Sequence, residues 1–293
     1  MKTILAVLSV VLLSSCSFNG MFLEPFKLPS NIQRLDLISC ADTSIYRFEP
    51  ETHRPTFLIN EQDTVETDYT IESVMFESAN GNKLNGCLLK PKNGNPTASI
   101  LHFHGNGGLL VRYFDKITPL IKYGFQVFVF DYSGFGFSEG EATRENVLID
   151  GNSALTYLKS RDDVKNTKLV IYGQSLGGHL SAVVAEQRQD EIDGLVVEGA
   201  FSSHKDVAAE HAWIFGRLLV SEKYSAKESI KNYKKPVLII HSSEDNVIPF
   251  EMGQTIFNNA NAPKELYEIK NCHICGPKFY ADSIAYKIKA MIK

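Results

Sequence analysis

A serine lies between two glycines in the stretch Gly173-Gln174-Ser175-Leu176-Gly177, directly after the strand-forming run KLVIYG. A Gly-x-Ser-x-Gly pattern between a strand and a helix is typical of a sharp turn that exposes the serine hydroxyl. The glycines permit the tight turn, and the amide of Leu176 points toward a reacting carbonyl. Such a pattern also arises by chance in an ordinary turn, so the chemistry depends on partners elsewhere in the chain.

Two candidate partners follow later strand runs. A serine hydroxyl becomes a good nucleophile when an imidazole accepts its proton and a carboxylate fixes the tautomer of that imidazole. Asp245 follows the run PVLIIHS and His273 follows the run ELYEIK, which is the chain order that the motif requires. We predict Ser175 as nucleophile, His273 as general base and Asp245 as the orienting acid. Glu244 and Glu198 are alternative acids, and Glu198 is more simply explained as a support for the loop after its strand.

A glycine-rich segment, HFHGNGG, ends the first continuous apolar run. A turn at His104-Gly105-Asn106 can place a backbone N–H group opposite the serine. We therefore predict that the amides of Asn106 and Leu176 form an oxyanion hole, which binds the negative charge that develops on a carbonyl oxygen under attack. The alternative is a glycine-rich turn that binds nothing.

Strand-like and helix-like runs alternate from about residue 68 onward. The segments TIESVMFES and KLNGCLLKP, separated by ANGN, predict an antiparallel hairpin. Apolar runs typical of buried strands follow at 99–104, 126–132, 168–173, 194–199, 236–242 and 265–270. Helical spacing occurs at 109–122, 143–160, 177–188, 205–220, 250–260 and 278–292. This alternation predicts an α/β fold with one parallel sheet covered on both faces.

The first sixteen residues, MKTILAVLSVVLLSSC, have the form of an export signal. Their apolar run is shorter than the roughly 20 residues that span a bilayer. The end of the run resembles a bacterial lipobox, in which cleavage leaves the cysteine as a lipid-carrying N-terminus. We predict a lipoprotein signal peptide over 1–15 and lipidation at Cys16. Because Ser17 follows, we expect an exported protein anchored in the outer membrane of a two-membrane bacterium. A plain cleaved signal or an uncleaved anchor is the alternative.

The segment between this signal and the alternating region has no sustained hydrophobic period. It carries Pro25, Pro29, Pro50 and Pro55, and prolines at such density favour irregular structure. We predict a tether and N-terminal extension over 16–67, followed by a single domain over 68–293.

The composition limits the possible partners. The 30 Lys and Arg residues and 34 Asp and Glu residues give a net charge of -4, and no basic block is present. Phosphate backbones require a basic surface, so nucleic acid is excluded as a partner. With 44% hydrophobic and 22% charged residues, the chain has the composition of an ordinary globular protein.

Four cysteines remain after Cys16, namely Cys40, Cys87, Cys272 and Cys275. In an oxidising compartment they allow three pairings. The single Cys-x-x-Cys lacks the second pair of a typical zinc site, and no histidine follows it as haem attachment requires, so we predict no metal and no cofactor. A bond between Cys272 and Cys275 would stiffen or strain the loop of His273, whereas free thiols or pairing with Cys40 or Cys87 are the alternatives.

The segments HGNGG, FDYSGFGFSEG, YGQSLGG and HSSEDNVIP together resemble the α/β-hydrolase superfamily, in particular its short-lid branch of abhydrolase-domain lipases, esterases and serine-aminopeptidase-like proteins. The resemblance covers about residues 68–293 and implies a mostly parallel eight-stranded sheet with helices on both faces and a short lid. It also implies Ser175, Asp245 and His273 as the catalytic triad. The chain departs from the pattern at Ser133, where arginine is common, and at Asn271-Cys272, where glycines are common.

About 36 residues separate the strand runs that end at 199 and begin at 236. This length allows one or two helices and not a large cap domain. The segment carries seven apolar residues at helical spacing: Val207, Ala208, Trp213, Ile214, Phe215, Leu218 and Leu219. Packing on the domain is one expectation for them, and the alternatives are that they line an acyl pocket or touch a bilayer.

The expected function is that of a serine hydrolase that cleaves an acyl ester through an acyl-enzyme, with a small-molecule or lipid ester as substrate. An acyltransferase or an amidase or peptidase would use the same triad, and a catalytically silent binding lipoprotein is a further alternative. A dinucleotide-dependent oxidoreductase is disfavoured, because GFGFSEG displaces the third glycine of the fingerprint.

Overall fold

The computed structural model describes residues 22–38, 43–59 and 63–293. For residues 38, 43, 211–216 and 219 it describes the backbone alone. The predicted signal peptide, the lipidation site Cys16 and the thiol of Cys40 lie outside the described residues.

The strands form two separate sheets. Their bounds are β1 Arg34–Ile38, β2 Thr43–Phe48, β3 Pro55–Ile59, β4 Asp63–Thr64, β5 Tyr69–Glu77, β6 Lys83–Pro91, β7 Ala98–Phe103, β8 Phe125–Phe130, β9 Lys168–Gln174, β10 Gly194–Glu198, β11 Val237–Ser242 and β12 Lys264–Ile269. The large sheet has the order β12-β11-β10-β9-β7-β8-β6-β5. Strand β6 pairs antiparallel with β5 and β8, whereas the remaining pairs are parallel. The predicted mostly parallel eight-stranded sheet is confirmed.

Helices cover both faces of this sheet. Their bounds are α1 Arg144–Ser160, α2 Leu176–Gln187, α3 His204–Leu219, α4 Ala226–Ser229, α5 Phe250–Asn259 and α6 Gly276–Met291. Successive strand residues point to opposite faces. On β9, Ile171 packs in the core formed with α1, α2 and α5, whereas Val170 and Tyr172 pack in the core formed with α6.

The region 109–122 differs from the predicted helix. It forms two 3₁₀-helices, Leu110–Lys116 and Thr118–Tyr123, separated by Ile117 with φ of −134°. Pro119 lies in the first turn of the second helix, where its missing N–H group and fixed φ are tolerated but would break a continuous α-helix. The apolar spacing therefore indicated the buried face correctly but not the helix type.

The N-terminal extension is more ordered than we predicted. Strands β1 to β4 form a four-stranded antiparallel sheet within the segment expected to be irregular. Its buried side chains, including Tyr46 and Phe48, pack in the same core as the 3₁₀-helices, so tertiary contacts stabilise strands that the local pattern does not predict. Further upstream, Phe22 and Leu23 are buried in the other core.

The segment between β10 and β11 contains helices α3 and α4, consistent with a short lid. Val207 and Ala208 are buried in the core, whereas Leu218 is 76% exposed. The side chains of Trp213, Ile214, Phe215 and Leu219 lie outside the described part of the structure. Within that described part, the helices are all too short or too polar to cross a membrane.

Candidate active site

Ser175 occupies the sharp corner between β9 and α2. Its φ of 57° and ψ of −119° are unusual for a residue with a side chain and cost about 1–3 kcal/mol of strain. The flanking glycines make the corner possible: a Cβ on Gly173 would lie 2.3 Å from the carbonyl oxygen of Gly177, and one on Gly177 would lie 2.0 Å from that of Phe103. Both distances are far below contact, so the spacing of the motif follows from the packing of the corner.

The loop of Asn106 adjoins the same corner. An added Cβ on Gly105 would lie 3.2 Å from the Cβ of Ser175, so the backbone of this loop approaches the serine closely. The hydroxyl of Tyr113 donates to the carbonyl of Asn106 at 2.9 Å, and the N–H of Glu24 donates to its side-chain oxygen at 2.7 Å. Asn106 is thus held on both sides beside the N-terminus of α2, where Leu176 is the first residue.

His273 and Asp245 form a close hydrogen-bonded pair. Nδ1 of His273 lies 2.6 Å from Oδ2 of Asp245, whose side chain is fully covered by protein. Burial opposes ionisation of Asp245, but the hydrogen bond and charge of His273 and the N–H groups of Ile248 and Val247 outweigh it and lower its pKa. A carboxylate in this position accepts the Nδ1 proton and leaves Nε2 of the imidazole available as a base.

Ser175 and His273 meet at a shared backbone segment. The N–H of Ser175 donates to the carbonyl of Glu198 at 2.9 Å. The next residue, Gly199, has φ of 57°, and an added Cβ there would lie 3.2 Å from Nδ1 and Cε1 of His273. Among the described residues, the Ser175 hydroxyl makes no hydrogen bond. The structure therefore brings serine and histidine to the same corner without a direct bond, and such bonds are often long in unliganded enzymes.

Several known proteins are similar to this chain in sequence. A family model described as serine aminopeptidase, S33, matches residues 94–231. The protein YfhR of Escherichia coli O157:H7, described as uncharacterized, is 33% identical over 203 residues, which are 68% of this chain and 71% of the relative. The α/β-hydrolase domain-containing protein WAV2 of Arabidopsis thaliana is 28% identical over 195 residues, with 61% of this chain and 63% of the relative covered. The chain belongs to the α/β-hydrolase superfamily.

Solved structures agree with this hydrolase assignment at the level of the fold. The esterase Pf2001 of Pyrococcus furiosus superposes with a TM-score of 0.62 at 19% identity, covering 76% of this chain and 91% of that chain. Est1E of Butyrivibrio proteoclasticus superposes with a TM-score of 0.62 at 18% identity, covering 75% of this chain and 98% of that chain. The expected α/β-hydrolase fold is thereby confirmed.

The two alternative acids of this hydrolase do not contact His273 but hold its loop. Glu198 accepts the N–H of Gly276 at 2.6 Å, and Glu244 accepts the N–H of Asn271 at 2.9 Å. Asn271 has φ of 85°, a conformation that favours glycine and that asparagine tolerates better than most residues. The structure thus accommodates the departure from the glycine-rich family pattern, and the two carboxylates fix both ends of the segment that carries His273.

The two cysteines of this segment are bonded to each other. The structure joins Cys272 and Cys275, whose Cα atoms are 5.8 Å apart. The bond spans His273, as one of our sequence hypotheses required. Cys87 is a free, buried cysteine, and burial raises the pKa of its thiol to about 12.

Apart from the Ser175 corner, one cluster of side chains has residue types that could hold a metal ion. One ligand atom each from His179, His204 and Glu222 lies within 4.8 Å of the others. Glu222 accepts hydrogen bonds from Nδ1 of His204 at 3.0 Å and from the backbone N–H groups of His204 and Lys205 at 3.1 Å each. The carboxylate of Glu222 therefore already binds the N-terminus of α3. His179 lies on α2, and its Nδ1 is 3.1 Å from the carbonyl oxygen of Phe201.

A cavity of about 770 Å³ opens beside the corner of Ser175. Asn106 and His273 both line it, so it is the candidate substrate cavity. Tyr46 and Phe57 of the N-terminal sheet form part of its wall. We did not predict this wall from the sequence, because the strands that carry it have no clear local pattern.

Proposed function

We propose that the chain is a serine hydrolase that cleaves carboxylic esters, with Ser175 as nucleophile, His273 as general base and Asp245 as orienting acid. The observation that carries the proposal is the 2.6 Å contact between Nδ1 of His273 and Asp245, which leaves Nε2 as a base beside the strained corner of Ser175. Strain of this kind at a half-buried polar residue is typical of functional sites.

The proposed reaction proceeds in two halves. His273 accepts the Ser175 proton as the hydroxyl attacks the acyl carbon, and the amides of Asn106 and Leu176 bind the resulting oxyanion. The imidazolium then donates its proton to the departing alcohol, which leaves an acyl-Ser175 ester. Water attacks that ester with His273 again as base, the carboxylic acid departs and the serine regains its proton.

The proposal is tested with p-nitrophenyl esters of increasing acyl length and the purified domain, comparing wild type with Ser175→Ala, His273→Ala and the double variant. We expect each single variant to lose at least about 10³-fold in kcat, and the double variant to lose no more, because triad members act as a unit. Full activity of His273→Ala would assign the base to another residue. Retention of activity in Ser175→Ala would reject the serine mechanism.

A second candidate is cleavage of amides, since the matched family model is described as a serine aminopeptidase. An aminopeptidase binds the cationic amino group of its substrate, for which a free carboxylate is the natural partner. The one carboxylate lining the described cavity, Asp115, pairs with Lys278 at 3.1 Å. This favours esters over aminopeptidase substrates. Assays with aminoacyl p-nitroanilides beside the esters distinguish an aminopeptidase from an esterase. An acyltransferase would instead show increased turnover when alcohols are added.

Two outcomes separate catalysis from a silent binding role. A serine-directed fluorophosphonate should label wild type and not Ser175→Ala. Labelling without turnover of any ester would point to a specialised acyl substrate, whereas absence of both would favour the binding module.

We further propose that the chain is an exported lipoprotein anchored through Cys16. Phe22 is packed against the ring of His204 and lies six positions after Cys16. An extended residue spans at most about 3.5 Å, so the anchor would hold this side of the domain within about 20 Å of the bilayer. Such a position suits lipid or other hydrophobic esters. Cys16→Ser should move the protein from the membrane fraction to the soluble fraction, and continued membrane attachment would indicate an uncleaved anchor instead.

A further inference from the structure

The cavity beside Ser175 is lined by an excess of cationic side chains. Arg112, Lys116 and Lys278 line it together with the single carboxylate of Asp115. Lys278 and Asp115 form an ion pair at 3.1 Å and are both about half exposed. The charges of Lys278 and Asp115 cancel each other. The positive charges of Arg112 and Lys116 are therefore left without a balancing negative charge among the residues that line the cavity.

Neither of these two cations has a carboxylate partner among the described residues. The guanidinium of Arg112 donates to the carbonyl of Gly107 at 3.0 Å. The ammonium of Lys116 lies 4.9 Å from the ring centroid of Tyr113, over the ring. Burial lowers the pKa of Lys116, with the charges of Arg112 and Lys278 acting in the same direction and those of Asp115 and Glu198 opposing it.

Each of the two cations contacts a residue that adjoins Asn106. Tyr113, on which Lys116 packs, donates its hydroxyl to Asn106, the proposed oxyanion residue. Gly107, which Arg112 contacts, is the next residue in the chain. A partly desolvated ammonium without a counter-ion is stabilised by an anion that enters the cavity, because the anion replaces the hydration that the cation has lost.

We propose that this cavity recognises an ester substrate that carries an anionic group, a carboxylate or phosphate, which binds between Arg112 and Lys116. This inference rests on the proposed hydrolase function and specifies its substrate class. The aromatic side chains of Tyr46 and Phe57 contact the uncharged part of the substrate. The two cations bind its anionic end, while the ester group lies at Ser175. Arg112 and Lys116 are specificity residues and take no part in bond breaking.

The test uses ester pairs that differ only in charge. One pair carries the charge on the acyl side: mono-p-nitrophenyl pimelate and its methyl-capped diester. The other carries it on the leaving group: 4-acetoxybenzoate and its methyl ester. We expect wild type to favour the anionic member of at least one pair by about tenfold in kcat/KM, because hydrogen bonds between charged partners are stronger than those between neutral ones. Raising the salt concentration should reduce the preference.

Lys116→Met and Arg112→Met should each remove most of this preference, mainly through KM, and leave hydrolysis of the neutral ester within about threefold of wild type. The chain offers a matched control. Lys122 lies over the ring of Tyr123 at 5.1 Å, a contact like that of Lys116, but it does not line the cavity. Lys122→Met should therefore leave both esters unchanged. Equal loss on charged and neutral esters in Lys116→Met would show a structural role only and overturn the proposal.

Failure of the hydrolase function itself is detected separately. Turnover of the neutral ester that disappears in Ser175→Ala establishes the hydrolase whatever its charge preference. If no ester is turned over, calorimetric titration of the protein with monomethyl pimelate and dimethyl pimelate measures recognition alone. Tighter binding of the anion, lost in Lys116→Met, would sustain the anionic cavity. Equal or undetectable binding of both compounds would reject it.

Discussion

The buried carboxylate of Glu198 accepts the N–H of Gly276 at 2.6 Å, so strand β10 holds the loop that carries His273. Its other oxygen accepts hydrogen bonds from the Tyr172 hydroxyl at 2.8 Å and from Nε2 of Gln174 at 2.7 Å. Three donors thus converge on one carboxylate beside the corner of Ser175. This arrangement makes Glu198 a positioning residue for the proposed base.

Glu198→Gln should destabilise the protein and impair catalysis together. An amide has one accepting oxygen, so its NH₂ group must face a donor, and we expect a loss of about 2–3 kcal/mol in the free energy of unfolding. We expect kcat to fall more than KM changes, because the His273 loop moves. Urea unfolding and steady-state kinetics measure both. Glu244→Gln is the control: Glu244 is exposed and meets one N–H group, which the remaining amide oxygen can still accept. A Glu198→Gln enzyme with normal kcat would refute the positioning role.

Ser175→Gly should be inactive yet more stable than Ser175→Ala. Glycine adopts the φ of 57° and ψ of −119° at this corner without the strain that a Cβ imposes. Alanine keeps the Cβ and therefore keeps the strain. We expect a difference of about 1 kcal/mol in the free energy of unfolding between the two variants, after allowance for the greater unfolded-state freedom of glycine. Urea unfolding of both variants checks this, and a glycine variant less stable than the alanine variant would mean that the corner is not strained.

The sequence-based prediction succeeded where a short stretch of chain determines the structure. The strand at 168–173 and the turn at Ser175 follow from a continuous apolar run and from glycines that the packing requires. The hairpin of β5 and β6 follows from two alternating runs with a turn signal between them. Each of these patterns lies within a few consecutive residues, so the strand or turn can be predicted without knowledge of the rest of the fold.

The prediction failed where distant residues determine the structure. Glu198 and Gly276 are 78 positions apart, and no local pattern connects a buried strand carboxylate with a loop amide. The strands of the N-terminal sheet gain their stability from packing on the 3₁₀-helices of the large domain. The cations Lys116 and Lys278 reach one cavity from distant positions in the chain. Composition and spacing do not reveal any of these contacts.

Reduction of the bond between Cys272 and Cys275 should lower activity. The segment includes two residues with positive φ, Asn271 at 85° and Ile274 at 47°, and strained conformations persist only where the surroundings enforce them. Without the crosslink, His273 should spend less time in the productive position, with a fall in kcat of about tenfold. Kinetics with and without a phosphine reductant measure the effect. The C272S/C275S double variant should have the lower rate in both conditions, and a wild-type enzyme indifferent to reduction would show that the two glutamates suffice to hold the loop.

The pH dependence of stability should carry a contribution from Asp131. This residue is buried after β8, with Oδ1 2.7 Å from the N–H of Leu110 and 3.5 Å from Nε2 of His104. Burial raises the pKa of Asp131 to about 8, against the opposing effects of the Leu110 N–H group and Lys27. Burial also lowers the pKa of His104 to about 4, so this neighbour is neutral at pH 7.

Between the unfolded pKa near 4 and the folded pKa near 8, the folded state of wild type therefore binds a proton that the unfolded state releases. The contribution of Asp131 to the free energy of unfolding should be highest at the acidic end of this window and fall by up to about 1.4 kcal/mol per pH unit as the pH rises. Asp131→Asn keeps an acceptor for Leu110 but cannot titrate, so it should lack this contribution. Urea unfolding of both proteins at pH 5, 6, 7 and 8 measures the difference. A constant difference across the series would mean that Asp131 is ionised in the folded protein and paired with a group that stabilises its charge.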